Sequence, residues 1–221
     1  MSGGAPDTTA DPFRPARLLL ELRRHGVTDD SVLQAIEAVD RADFAAPGLE
    51  DLAYEECDLP IGCGQTLYSP LVAGQLLQAL QIAPGAGEAV FLVGAGSGYT
   101  MALAARTAGV VAGIDRYFTL VEAASQALAD HDQGAAFRFY HGDGLGGLDT
   151  GETFDRILLT GTVDAVPSAL TRTLSPHGRM VVPVRDGDRW IVRVLNGDGR
   201  HFDRALARPI SALAPGPAQR L

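Results

Sequence analysis

From residue 88 onward the sequence changes rhythm, and that change limits the fold more than any other feature. "EAVFLVG" is an apolar run of strand type, "GYTMALAARTAG" carries helical spacing, "VVAGIDR" is a second strand and "YFTLVEAASQALADH" a second helix. "AFRFYHGDG" and "FDRILLTG" read as further strands and "VPSALTRTL" as a short helix. "GRMVVPVR" and "RWIVRVLN" are strands joined by the turn signal "DGD". Apolar strands that alternate with helices belong in a parallel sheet covered on both faces, whereas strands joined by a tight turn pair antiparallel. The expected fold is therefore α/β, mostly parallel, with an antiparallel C-terminal edge.

Ahead of this region the period is helical. Leu18, Leu19, Leu22 and Val27 share one face of "ARLLLELRRHGV", and Val32, Leu33, Ile36 and Val39 share one face of the next segment, with acidic cap candidates before it. These form an N-terminal helical pair. "APGLEDLAYEECDLPIGCGQTLYSP" is irregular, and a third amphipathic helix, "LVAGQLLQALQI", follows it. Long irregular stretches inside a compact domain tend to carry function. The chain thus divides into a disordered leader over 1–15, helices with an active-site loop over 16–83, and an α/β region over 84–221. The tail "LAPGPAQRL" is expected to be loosely held.

With 221 residues, the chain can bury one good core. Its net charge of −9 argues against a nucleic acid or an anionic membrane as partner. All basic residues are Arg, so lysine chemistry is excluded. Cys57 and Cys63 lack metal-ligand spacing, and without a secretion signal they are expected to be reduced, cytoplasmic thiols. The histidines are scattered and predict no metal site.

The first strand of the α/β region empties into "GAGSGYT", Gly94–Thr100. Ligands in such folds lie beyond the carboxyl ends of the strands, so this loop is the expected place. Its spacing is GxGxG; the GxGxxG of dinucleotide sites and the GxxxxGK[ST] phosphate loop are absent. S-adenosylmethionine, which has no phosphate, fits better than a pyrophosphate. Two acidic strand ends follow in order. Asp115 in "GIDR" can accept from ribose hydroxyls, and Asp143 in "HGDG" from an adenine amino group. Read singly, each is more often a turn or cap residue; it is the ordered series that points to a ligand. Leu92 stands where many such loops are preceded by Asp or Glu, which predicts a weaker hold on the cofactor's ammonium.

"AYEECDLPIGCGQTLYSP", "VFLVGAGSGYTMALAA", "VAGIDR", "HGDG" and "FDRILLTGTVDAVPSALTRTLSPHGRMVVPV" occur in an order that resembles the protein-L-isoaspartate O-methyltransferases, from about residue 17 to about 210. The resemblance implies a Rossmann-like methyltransferase fold, S-adenosylmethionine as cofactor, and methyl transfer to an isoaspartyl or aspartyl carboxylate of a protein or peptide. By position, Gly94, Gly96, Ser97 and Gly98 match the cofactor loop, Asp115 the ribose acid, and Asp143 with Gly144 the adenine-side turn. Gln65 and Thr66 match the active-site loop, with Tyr68 in the place of the family's Ser and Ser69 after it. Thr160 is expected beside the substrate pocket.

A carboxylate nucleophile is already ionised at neutral pH, so the reaction needs alignment and no general base. Thr66, with Tyr68 or Ser69, is assigned to positioning. Cys63 reads as an inert small residue or a substrate contact, His141 as a strand-end or site-lining residue, and Trp190 as sheet packing. Three functions remain open: repair of isoaspartyl residues, methylation of aspartate in one dedicated peptide, and cofactor binding without catalysis. A monomer is expected.

Overall fold

The computed structural model describes residues 13–129, 135–213 and 215–220. The expected leader falls mostly outside these residues, as does His131, and the first helix begins at Arg14. Helices α1 (Arg14–Arg24) and α2 (Asp30–Ala38) form the N-terminal pair. Asp29 caps α2, its carboxylate accepting from the amides of Ser31 and Val32. Helix α3 (Pro70–Leu80) starts with Pro at its first position and Ser69 as its cap.

The 46–70 segment is more ordered than its composition suggests. Two 3-10 turns, Arg41–Phe44 and Glu50–Leu52, lead into a small antiparallel hairpin of β1 (Leu59–Gly62) and β2 (Gln65–Leu67). Its two-residue turn holds Cys63 at φ 51° and Gly64 at φ 68°, the left-handed pair that matches the twist of flanking strands.

The central sheet contains β3 (Ala89–Val93), β4 (Val110–Asp115), β5 (Ala136–His141), β6 (Phe154–Leu159), β7 (Leu174–Asp186), β8 (Arg189–Asn196) and β9 (His201–Ala205), in the order β5-β4-β3-β6-β7-β8-β9. Pairing is parallel from β5 to β7 and antiparallel among β7, β8 and β9. The edge strand β9 adds to the expected hairpin. It is exposed throughout and so shows no apolar alternation. Helices α4 (Tyr99–Ala105) and α5 (Phe118–Ala129) join β3 to β4 and β4 to β5, and the short α6 (Ser168–Thr171) joins β6 to β7. Val90, Leu92, Val111, Leu158 and Val181 face the layer built from α1 to α5, while Phe91, Val93, Ile157, Leu159 and Met180 face the thinner layer with Leu170 of α6.

Strand order reverses at β3, which has β4 on one side and β6 on the other. The crevice at such a point is where this fold class places ligands. The tail crosses it and is not loosely held. Leu213 N–H donates to the Thr162 carbonyl (2.9 Å) and Phe118 N–H to the Gln219 carbonyl (2.9 Å), while Ser211 just ahead of the tail accepts from Thr162 N–H (2.9 Å). Its Pro and Gly content prevents a regular element, but leaves backbone amides and carbonyls free to bond across.

Candidate active site

One cleft lies over the carboxyl ends of β3, β4, β5 and β6, enclosing about 930 Å³ of atom-free space open to solvent. Its floor is the loop after β3. Gly94 has φ 93°, Gly96 55° and Gly98 91°, a left-handed series that other residues adopt only at a cost. The amides of Gly94 and Ala95 both donate to the Ile114 carbonyl (2.9 and 3.0 Å), which ties the loop to β4. Thr160, at the end of β6, donates its hydroxyl to the carbonyls of Gly94 (2.7 Å) and Val93 (3.0 Å). It therefore braces the loop while lining the cleft.

Asp115 ends β4 and is 7% exposed. Its Oδ2 accepts from Gly96 N–H and its Oδ1 from Tyr117 N–H, both at 3.0 Å. Burial pushes its pKa up, opposed by the amides of Tyr117, Gly96 and Arg116. Each oxygen still has acceptor capacity, and the residue lines the cleft, which suits a diol. Asp143 follows β5, with Oδ1 accepting from Leu145 N–H and Oδ2 from Gly216 N–H, each at 3.0 Å. Gly144 beside it is required by close approach: a Cβ there would lie 2.6 Å from both Ile114 Cγ2 and Val93 Cγ1.

The opposite wall is the β1–β2 hairpin. Gln65, Thr66 and Tyr68 line the cleft, and the Thr66 hydroxyl lies 3.4 Å from that of Ser211, just ahead of the tail. Tyr68 is buried, its hydroxyl 2.9 Å from Thr100 Oγ1. Burial pushes its pKa up to about 12, so the phenol stays protonated at any physiological pH and acts as a hydrogen-bond group, not a base. Ser97 also lines the cleft. Ser69 does not. It is fully buried, and its hydroxyl accepts from Val72 N–H (3.5 Å) as the cap of α3, so of these two residues Tyr68 lines the cleft and Ser69 does not.

The structure also places three other residues named from the sequence. Leu92 is fully buried within the apolar layer under the helices and does not line the cleft, so the position contributes packing. His141 Nε2 lies 3.1 Å from the carbonyls of both Arg116 and Gln219, which makes it a donor that fastens the tail. Cys63 sits at the hairpin tip with Sγ 3.3 Å from Thr119 Oγ1, and both cysteines are free thiols. Thr100, Ile61, Ser211 and Leu213 line the cleft without having been singled out in sequence. Thr100 stood inside the quoted "GYT", but nothing in its spacing distinguishes it from a helix-start residue.

A doubly wound sheet whose switch-point cleft joins a left-handed glycine loop to two acidic strand ends defines an S-adenosylmethionine-dependent methyltransferase. The model of the protein-L-isoaspartate(D-aspartate) O-methyltransferase (PCMT) family matches residues 14–203, and the chain belongs to that family. It is 40% identical over 187 residues to the protein-L-isoaspartate O-methyltransferase of Paracoccus denitrificans, covering 84% of this chain and 85% of that protein. It is 39% identical over 203 residues to the one from Aeropyrum pernix, covering 88% and 77%. A Plasmodium falciparum structure described as a beta-aspartate methyltransferase (PCMT), in complex with S-adenosyl-L-homocysteine, superposes with a TM-score of 0.73 at 20% identity, covering 89% of this chain and 97% of that one. That likeness shows the shared fold. Among the described residues no helix is long and apolar enough to cross a membrane.

Proposed function

We propose that the protein methylates the free carboxylate of isoaspartyl residues in proteins or peptides, using S-adenosylmethionine. One observation carries this reading: the hydroxyl-bearing face of the β1–β2 hairpin and the glycine loop with its two acidic strand ends line the same cleft. The residues present fit the cofactor. Asp115 would hold the ribose diol, Asp143 the adenine amino group, and the 94–98 loop the amino-acid end, with no Cβ at Gly94, Gly96 or Gly98. The cofactor supplies an electrophilic methyl on a sulfonium that leaves as a neutral thioether.

The chain's own work is alignment. The substrate carboxylate is ionised at neutral pH, with a reference pKa near 4, so no side chain needs to remove a proton. Thr66, Tyr68 and Gln65 are donors that can orient it without neutralising it. A cation in their place would stabilise the ground state as much as the transition state, lowering KM without raising kcat. The hairpin flanks the glycine loop on one side and the tail on the other, which narrows the space in which the carboxylate and the methyl donor can meet. The acidic net charge of −9 favours a protein or peptide partner over nucleic acid.

Incubation with labelled S-adenosylmethionine and paired isoaspartyl and aspartyl peptides, read by mass spectrometry, tests the reading. Label on the isoaspartyl peptide alone is expected. Label on the aspartyl peptide alone, or on neither while S-adenosylhomocysteine binds, would refute it.

A further inference from the structure

We propose that residues 215–220 form a strap that positions Asp143 for recognition of a 6-aminopurine, acting through the Gly216 amide. The inference rests on the cofactor reading of the cleft. The family match ends at residue 203, before this segment begins.

Asp143 is held from two chain segments at once, by Leu145 N–H on Oδ1 and by Gly216 N–H on Oδ2, both at 3.0 Å. Two donors on different oxygens fix the plane of the carboxylate. Asp143 lines the cleft and Gly216 does not, so the strap stands behind the carboxylate and leaves its remaining acceptor capacity to a ligand. The strap's far end is anchored on the ribose side. Gln219 N–H donates to the Arg116 carbonyl (2.6 Å), while the Gln219 carbonyl accepts from Phe118 N–H (2.9 Å) and faces His141 Nε2 (3.1 Å). Only glycine suits the contact residue: Gly216 has φ 150°, and a Cβ there would lie 3.3 Å from Arg116 Nη2.

The chemistry follows from donor and acceptor matching. A carboxylate locked in place rewards an exocyclic amino group, which donates, and penalises a 6-oxo group, which accepts. A carboxylate free to rotate away tolerates either. Gly216 is therefore a positioning residue that sets the preference for adenine over hypoxanthine.

In the full chain, Gly216→Pro deletes the amide proton and, since proline cannot take a φ of 150°, also displaces the strap from Asp143. Calorimetry with S-adenosylhomocysteine and its 6-oxo counterpart, S-inosylhomocysteine, reads the result. The unaltered protein is expected to prefer the adenosyl ligand, and the variant to lose about tenfold of that preference, the equivalent of one neutral-to-charged hydrogen bond. In an Asp143→Ala background the same substitution is expected to change nothing further. Gln219→Pro, which releases the far anchor without touching Asp143, is expected to shift the preference in the same direction and keeps the test decisive if Gly216→Pro folds poorly. Equal weakening of both ligands, an additive effect with Asp143→Ala, or tighter binding of the adenosyl ligand would each overturn the proposal. Failure of the unaltered chain to bind S-adenosylhomocysteine would overturn the cofactor reading itself; binding with an unmoved preference in the variants overturns the strap alone.

Discussion

Arg41 offers the sharpest test of how the active-site wall is held. The side chain is 2% exposed and its guanidinium donates to four backbone carbonyls: Ala53 through Nη1 (2.9 Å), and Cys57 (2.9 Å), Tyr68 (3.1 Å) and Leu67 (3.3 Å) through Nη2. Burial pushes its pKa down, with Tyr99, Cys57, Glu56 and Asp58 pulling the other way. One cation thus gathers the irregular segment and the end of the hairpin into one knot. Arg41→Met keeps most of the apolar stem and removes all four hydrogen bonds. Leaving a buried acceptor unmet costs about 1–3 kcal/mol, but loosening would let water reach some of the four, so the net loss is roughly 3–5 kcal/mol. At about 2–4 °C per kcal/mol for a chain of this size, the melting temperature should drop by roughly 6–20 °C in differential scanning calorimetry. Because the knot holds Tyr68 and not the glycine loop, KM for an isoaspartyl peptide should rise more than the Kd for S-adenosylhomocysteine. A melting shift under about 2 °C, or equal losses in both affinities, would show that the bonds do not hold the wall.

Three further outcomes are expected. Tyr68→Phe should leave S-adenosylhomocysteine binding intact, lower peptide methylation, and cost about 1 kcal/mol of stability from the lost bond to Thr100; unchanged turnover in a steady-state assay removes Tyr68 from substrate positioning. The raised pKa of Asp115 means that its ionised form opposes folding, so this residue's contribution to stability improves as pH falls through the folded value; S-adenosylhomocysteine affinity should decline over that same window, above the ordinary 3.8, and an affinity flat down to that pH in calorimetry would be the contrary result. Gly144→Ala drives a Cβ against Ile114 and Val93 and should destabilise by about 1–3 kcal/mol in urea denaturation, with a wild-type-like midpoint as the failing outcome.

The parallel core was legible because its strands are buried and its helices amphipathic, so the period itself carried the information. The glycine loop with Asp115 and Asp143 was legible for a related reason: backbone reversal and strand-end carboxylates leave marks at defined intervals. The hairpin was hidden because β1 and β2 are short and β1 contains Pro60 and Gly62, which read as loop. Strand β9 was hidden because neither face is buried. Ser69 could have been read correctly, since Ser followed by Pro is the mark of a helix start and its hydroxyl is then engaged. Leu92 could not be placed by comparing patterns alone; only strand alternation, with Val93 facing the other layer, shows that it points into packing. The tail was misjudged because composition reports on regular elements, while its bonds are irregular ones between main-chain groups.

The β1–β2 hairpin shares no ladder with the seven-stranded sheet. The hairpin side of the cleft and its glycine-loop side are thus carried by separate pieces of backbone. Substitutions such as Tyr for Ser at position 68 can accumulate on the first without altering register or twist in the second. Selection can retarget such a protein to a new peptide by rewriting one short hairpin, with the donor half inherited unchanged.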